Sequence, residues 1–211
     1  MGLFDNLKKQ AENLLKNEVN QAARSAVSSV EGAVKSAANS AGSQAKTQTV
    51  TLSALPQSAD EMQAMAEFKL NDPFAVAAFT VAALNRYPAD RDAAIAMLNV
   101  LKGPEPLTPR ETQFINDRFM DGKDYVTRSY FGGSSPENDY TPEVPYTVSV
   151  TEQSNSRQNE GYINLYISSS GADSKRQVTL RYKPSADQWF LWQFDALLLD
   201  IRIPKSADKW A

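Results

Sequence analysis

Neither cysteine nor histidine occurs among the 211 residues. Without cysteine there is no disulfide framework, no thiolate nucleophile and no Cys-held zinc or iron–sulfur centre. Without histidine the commonest general base, the Ser-His-Asp arrangement and the commonest transition-metal ligand are all missing. An enzyme built on this chain would have to work with carboxylates, Lys, Tyr or Ser alone. The balance favours a non-enzyme with no catalytic residue, no cofactor and no metal. Long basic runs are absent too, and the formal net charge is −3, which argues against a nucleic-acid partner. No apolar run reaches the 18 residues of a membrane span. The start, MGLFDNLKKQ, carries an acid at Asp5 and reads neither as a secretory signal nor, with Asn6 where Ser or Thr is wanted, as an acylation signal. The expected location is cytoplasmic.

What is present first is an amphipathic front. On a helix over residues 3–19, Leu3, Phe4, Leu7, Ala11, Leu14 and Leu15 share one face, and Lys9, Gln10, Asn13, Lys16 and Asn17 the other. Beyond it the large side chains stop, yet Leu15, Val19, Ala22, Ala26, Val30, Ala33, Ala37 and Ala41 continue at steps of three and four. That eleven-residue spacing follows a nearly straight helix. Residues 1–46 are therefore expected to form one long helix whose Ala/Ser-rich second half buries little. Its face could serve a protein partner or a second copy. It could also make weak contact with a membrane surface, fold back on the chain's own body, or be a partly disordered tail.

Residues 47–57 read as a linker or an isolated strand, and residues 58–205 as an α+β domain. Ser58 with Glu61, Asp72 with Pro73, and Thr108 with Pro109 and Glu111 mark helix starts. The expected helices run to about Leu70, over PFAVAAFTVAALNRY, from about Ala89 to Leu101, and from Thr108 to before Gly122. The second is apolar nearly all round and should be the buried centre. After a long loop over 123–145 the period changes to two. Alternation around Tyr146–Val150, Ile163–Ile167, Val178–Tyr182, QWFLWQF and Leu197–Ile203 predicts an antiparallel meander over 146–205. About four helices should pack on it as one layer.

Two stretches, FKLNDPFAVAAFTVAALNRYPADRDAAIAMLNVLKGPEPLTPRETQFINDRFMDGKDYVTRSYF and QWFLWQFDALLLDIRIPK, resemble an uncharacterised bacterial family. It is a Firmicutes-type domain of unknown function, preceded by an MGLFD-type helix. The resemblance covers roughly residues 60–205. It implies a bacterial, cytoplasmic protein, and transfers no activity or site residue.

The loop over 118–148 holds the remaining candidates. Asp121, Asp124, Glu137, Asp139 and Glu143 could act as acid and base or hold a hard cation, although their spacing matches no calcium loop. The aromatics Tyr125, Tyr130, Phe131 and Tyr140 suit a recognition surface, or equally the packing of the loop onto the sheet. Trp189 and Trp192 have opposite parity on their strand and so should face opposite ways. The expected function is a non-catalytic interaction or assembly module using residues 1–46. A small-ligand or carboxylate-based enzymatic pocket between helices and sheet, and peripheral membrane association, are the alternatives.

Overall fold

The computed structural model describes residues 45–210. Of the helix expected over residues 1–46, all but the last two residues lie outside that range, and with them Leu3, Phe4, Leu7, Leu14 and Leu15. The described chain runs β1 (Lys46–Leu52), α1 (Ala59–Ala64), α2 (Pro73–Arg86), α3 (Arg91–Lys102), α4 (Pro109–Phe119) and α5 (Tyr125–Arg128). Then follow β2 (Tyr146–Glu152), β3 (Tyr162–Ile167), β4 (Arg176–Lys183) and β5 (Gln188–Gln193). The five strands form one antiparallel sheet in the order β1-β2-β3-β4-β5. It is an α+β fold.

The cap chemistry sets the helix starts. Asp72 accepts from the Phe74 N–H at 2.9 Å, and Asp90 from that of Ala93 at 3.0 Å, so α3 opens after Asp90 rather than at Ala89. At α4 the capping box is complete, the Thr108 hydroxyl and the Glu111 carboxylate each taking the other's backbone N–H. By contrast α1 stops six residues short of the expected Leu70. The chain must leave the helix there, because Phe68 meets Phe79 edge-on at 5.2 Å and the Leu70 carbonyl accepts from the Trp189 N–H at 2.6 Å.

Helix α2 is the centre. Every residue from Phe74 to Leu84 is buried, and the helix packs against all five strands as well as α3 and α5. A helix that touches neighbours on every side has no use for a polar face. Its one buried hydroxyl, Thr80, donates back to the Val76 carbonyl at 2.8 Å, which satisfies it without a partner elsewhere. Below α2 lie Val50, Leu52, Val148, Val150, Ile163, Leu165, Ile167, Val178, Leu180 and Leu191, the inward residues of the sheet. The opposite face carries Thr47, Thr49, Thr51, Thr147, Ser149, Thr151, Asn164, Thr179 and Arg181, alternate positions of the same strands.

Two segments differ from the sequence expectation. Residues 46–52 take the strand alternative but are not isolated: β1 pairs with β2 along its whole length, from Lys46 opposite Glu152 to Leu52 opposite Tyr146. Residues 197–203 add no strand. Asp195–Leu198 forms a 3-10 turn, and Asp200 takes a left-handed backbone (φ 52°), which breaks the pleat. The carbonyls that a ladder would have used go to side chains instead. Leu197 accepts from the Tyr130 hydroxyl at 2.7 Å, and Leu199 and Asp200 from the Arg176 guanidinium. Leu197, Leu198 and Leu199 are apolar in succession, a pattern that suits a buried turn as well as a strand.

Candidate functional site

The aromatic residues of the 118–148 stretch belong to the core. Tyr125, Tyr130, Phe131 and Tyr140 are all buried, which favours the packing alternative over a recognition surface. Tyr125 and Tyr140 stack at 5.7 Å. The Tyr140 hydroxyl donates to the Arg202 carbonyl at 2.7 Å; burial, and then the neighbouring Tyr125, push it up to about 12. Phe131 bridges to Val148, the Gly132 N–H reaches the Thr147 carbonyl at 2.9 Å, and the Glu143 N–H reaches the Gly132 carbonyl at 3.0 Å. The expected loop is thus a short helix followed by a patch of pairing beside β2.

Nor do its carboxylates converge. Asp124 pairs with Arg128 at 2.7 Å. Asp139 accepts from the Ser206 N–H at 3.2 Å, and Ser206, through its hydroxyl first and then this N–H, holds the carboxyl below the usual range. Glu137 lies by Arg202 and Lys205, and Glu143 packs its stem on Gly133. Among the described residues no three carboxylates come close enough to hold a metal ion.

The cleft that the fold does build lies elsewhere, where the α3–α4 connection crosses the edge strand β5. Gly103 ends α3 at φ 62°, and an added Cβ would fall 2.2 Å from the Phe190 ring. Only glycine lets the connection press so close. Opposite it, β5 carries a bulge: Leu180 faces Leu191, but Thr179 faces Gln193, so Trp192 is the extra residue. By alternation from the inward Leu191, Trp192 faces outward with its indole 39 % exposed, and the bulge turns Gln193 outward as well. Trp189, on the other parity, packs against the core. Trp192 is held edge-on by Tyr162 at 5.7 Å and covered by the Arg181 guanidinium at 5.0 Å. That guanidinium also reaches Glu105 of the connection at 3.3 Å.

Two adjoining hollows meet at Trp192. One, about 570 Å³, runs past Lys102, Glu105, Arg110, Glu111, Phe114 and Asp195. The other, about 310 Å³, is bounded by Pro104, Arg181, Lys183 and Phe190. Between them the walls present cations and carboxylates in mixture around one aromatic plate.

The one ion pair with little solvent access here is Lys102–Glu111, at 2.7 Å. Burial pushes the Glu111 carboxyl up, but hydrogen bonds from Lys102 and from the Thr108 backbone and hydroxyl outweigh it and leave the group below its ordinary value of 4.5. Glu111 is consequently ionised and fully engaged at neutral pH, a fixed anchor with no proton to give. Its contribution to stability is complete above pH 4.5 and is lost as pH falls through the lowered folded value. Glu111→Gln is therefore expected to lower stability by about 1–2 kcal/mol at pH 7. Urea melts of both proteins down to pH 3 should show that gap closing on the acid side; a gap independent of pH would contradict the assignment.

None of these cleft residues carries a spacing that marks it. Lys102 and Glu111 meet because α3 ends in a glycine turn, and Trp192 faces outward by its parity on β5, beside the bulge. The nearest sequence signals were the α4 capping box and the tryptophan parity.

A further hollow of about 360 Å³ lies on the outer face, lined by hydroxyls from Ser129, Ser134, Thr147, Ser149, Ser169 and Ser170. Much of that hydroxyl capacity is used internally. Ser129 donates to the Val126 carbonyl, Ser134 to that of Phe131, and Ser169 to the Ser129 hydroxyl.

Compared with known proteins, residues 54–205 match the model of a domain of unknown function, DUF6935. No curated protein and no solved structure matches the chain.

Proposed function

We propose a non-catalytic recognition role, on the premise that the chain belongs to the DUF6935 family, whose model spans nearly all of the α+β body. The body binds an extended segment of a protein partner across the Trp192 cleft, and residues 1–46 contribute to assembly with a partner or another copy. The observation that carries this reading is Trp192 itself. It is an exposed indole on a rigid strand, clamped by Tyr162 and Arg181 and shared by two adjoining hollows. Aromatic and Arg anchors at the centre of a patch supply most of the energy of protein recognition. Strand and helix end hold them at little entropic cost.

The enzymatic alternative has less support, since the buried carboxylate of the cleft is already saturated. Among the described residues no helix is long and apolar enough to cross a membrane. A bacterial, cytoplasmic setting is part of the proposal and rests on the family resemblance.

Selection of a displayed random-peptide library on the full chain tests the reading. Enriched peptides should bind the protein and lose at least tenfold in affinity to Trp192→Ala, with the melting temperature nearly unchanged because the side chain is largely outside the core. A library that yields no binder, or binders indifferent to Trp192→Ala, would sink it.

A further inference from the structure

The two edges of the sheet are not equivalent. β5 is protected: it carries the Trp192 bulge, its Trp189 N–H is taken by Leu70, and Gly103 lays the α3–α4 connection against Phe190. Among the described residues β1 has none of these devices. It is seven residues long, in unbroken register with β2, without proline or bulge, and with a single charge, Lys46. Edges of that kind are open to strand addition.

Which backbone groups β1 offers follows from its neighbour. On β2, the Thr147 carbonyl goes to the Gly132 N–H and the Ser149 carbonyl to the Ser168 N–H, both on the side away from β1. Thr147 and Ser149 face Thr51 and Thr49, so these are the non-hydrogen-bonded pairs of the β1–β2 ladder. By the same alternation Thr47, Thr49 and Thr51 turn their own N–H and C=O groups outward, to the free edge. Among the described residues none of these three backbones bonds elsewhere.

We propose that β1 pairs antiparallel with β1 of a second copy, about a two-fold axis at Thr49, joining the two sheets into one of ten strands. In this register all seven residues are used: Thr49 meets Thr49, Thr47 meets Thr51, Gln48 meets Val50, and Lys46 meets Leu52. Three of these positions, Thr47, Thr49 and Thr51, form narrow pairs that exchange six N–H to C=O bonds. Facing residues in an antiparallel pair share a side, so the threonine row of one copy continues into that of the other, while on the inward side Gln48 meets Val50 and Lys46 meets Leu52. Lys46 never faces Lys46. The occupant is a second copy because the strand is complementary to itself under a two-fold, which is the commonest symmetry of soluble assemblies. The site is distinct from the Trp192 cleft.

Light scattering on the full chain across 1–200 µM, a range spanning roughly the weak affinities expected of a small interface, provides the test. The wild type should reach twice the mass of one chain. Thr49→Lys and Thr49→Glu should each raise the dissociation constant at least tenfold, since like charges then face each other at the axis. Mixing the two variants should restore the dimer, because Lys now meets Glu. Thr49→Pro should also dissociate it, with melting retained, since the lost N–H points away from β2. A wild type that stays monomeric over the range overturns the proposal. So does a dimer indifferent to Thr49 but lost in Leu7→Glu with Leu14→Glu, which would place self-association on the amphipathic front.

Discussion

Phe79→Ala is expected to cost about 3–5 kcal/mol, the upper range for a buried aromatic, and so to threaten folding altogether. The ring is fully buried at the middle of α2 and meets Phe68 edge-on at 5.2 Å. α2 touches every strand, so a void there cannot be closed by the collapse of one neighbour without pulling another away. Most domains hold only about 5–15 kcal/mol in reserve, and this one change would consume a large share. Urea denaturation measures it directly. A loss below about 1.5 kcal/mol would mean that the layer can relax around the missing ring, and that α2 is not the rigid centre described above.

Tyr140 ranks second, and its two variants separate packing from hydrogen bonding. The ring is fully buried against Tyr125, and its hydroxyl donates to the Arg202 carbonyl at 2.7 Å. Tyr140→Phe keeps the ring and leaves that carbonyl without its donor, a loss of about 1–2 kcal/mol. Tyr140→Ala should lose about 3–5 kcal/mol and release the segment after Leu198. That segment is otherwise held by the Arg202 N–H bond to Gly171 and by Arg176. Melting curves give the two costs, and limited proteolysis after residue 198 reports the release. Equal losses in the two variants would show that the ring contributes nothing beyond its hydroxyl.

The same residues show what could be read from the sequence. The all-round apolar pattern of α2, the caps at Asp72 and Thr108, and the period of two in β2 to β4 are local signals, and the structure keeps them. β1 was ambiguous for a different reason: Val50 and Leu52 alternate properly with threonines, but the partner strand lies beyond residues 53–145, and register with so distant a segment leaves no local trace. Leu197–Ile203 failed the other way, since its alternation is good but Asp200 adopts a left-handed turn that only the packed environment explains. Tyrosine serves surfaces and cores alike, so the burial of Tyr125, Tyr130 and Tyr140 could not be told from their presence. The Trp192 cleft is built from a register shift and a glycine turn, features that arise only once strands and helices are in place.

The remoteness of β1 from β2 also bears on time. β2 to β5 are consecutive and can zip by short loops, whereas β1 must wait until the four principal helices between the two strands have been threaded into place. Contacts of such long sequence separation form late. The amides of Gln48 and Val50, bonded inward to β2 by the parity of the ladder, are expected to exchange with solvent before those of β3 and β4. Before β1 docks, the outward edge of β2 stands bare. At high concentration that vacancy can be filled by the β1 of a neighbouring molecule. Refolding of this chain is thus a competition between an intramolecular strand on a long tether and an intermolecular one, and dilution decides it.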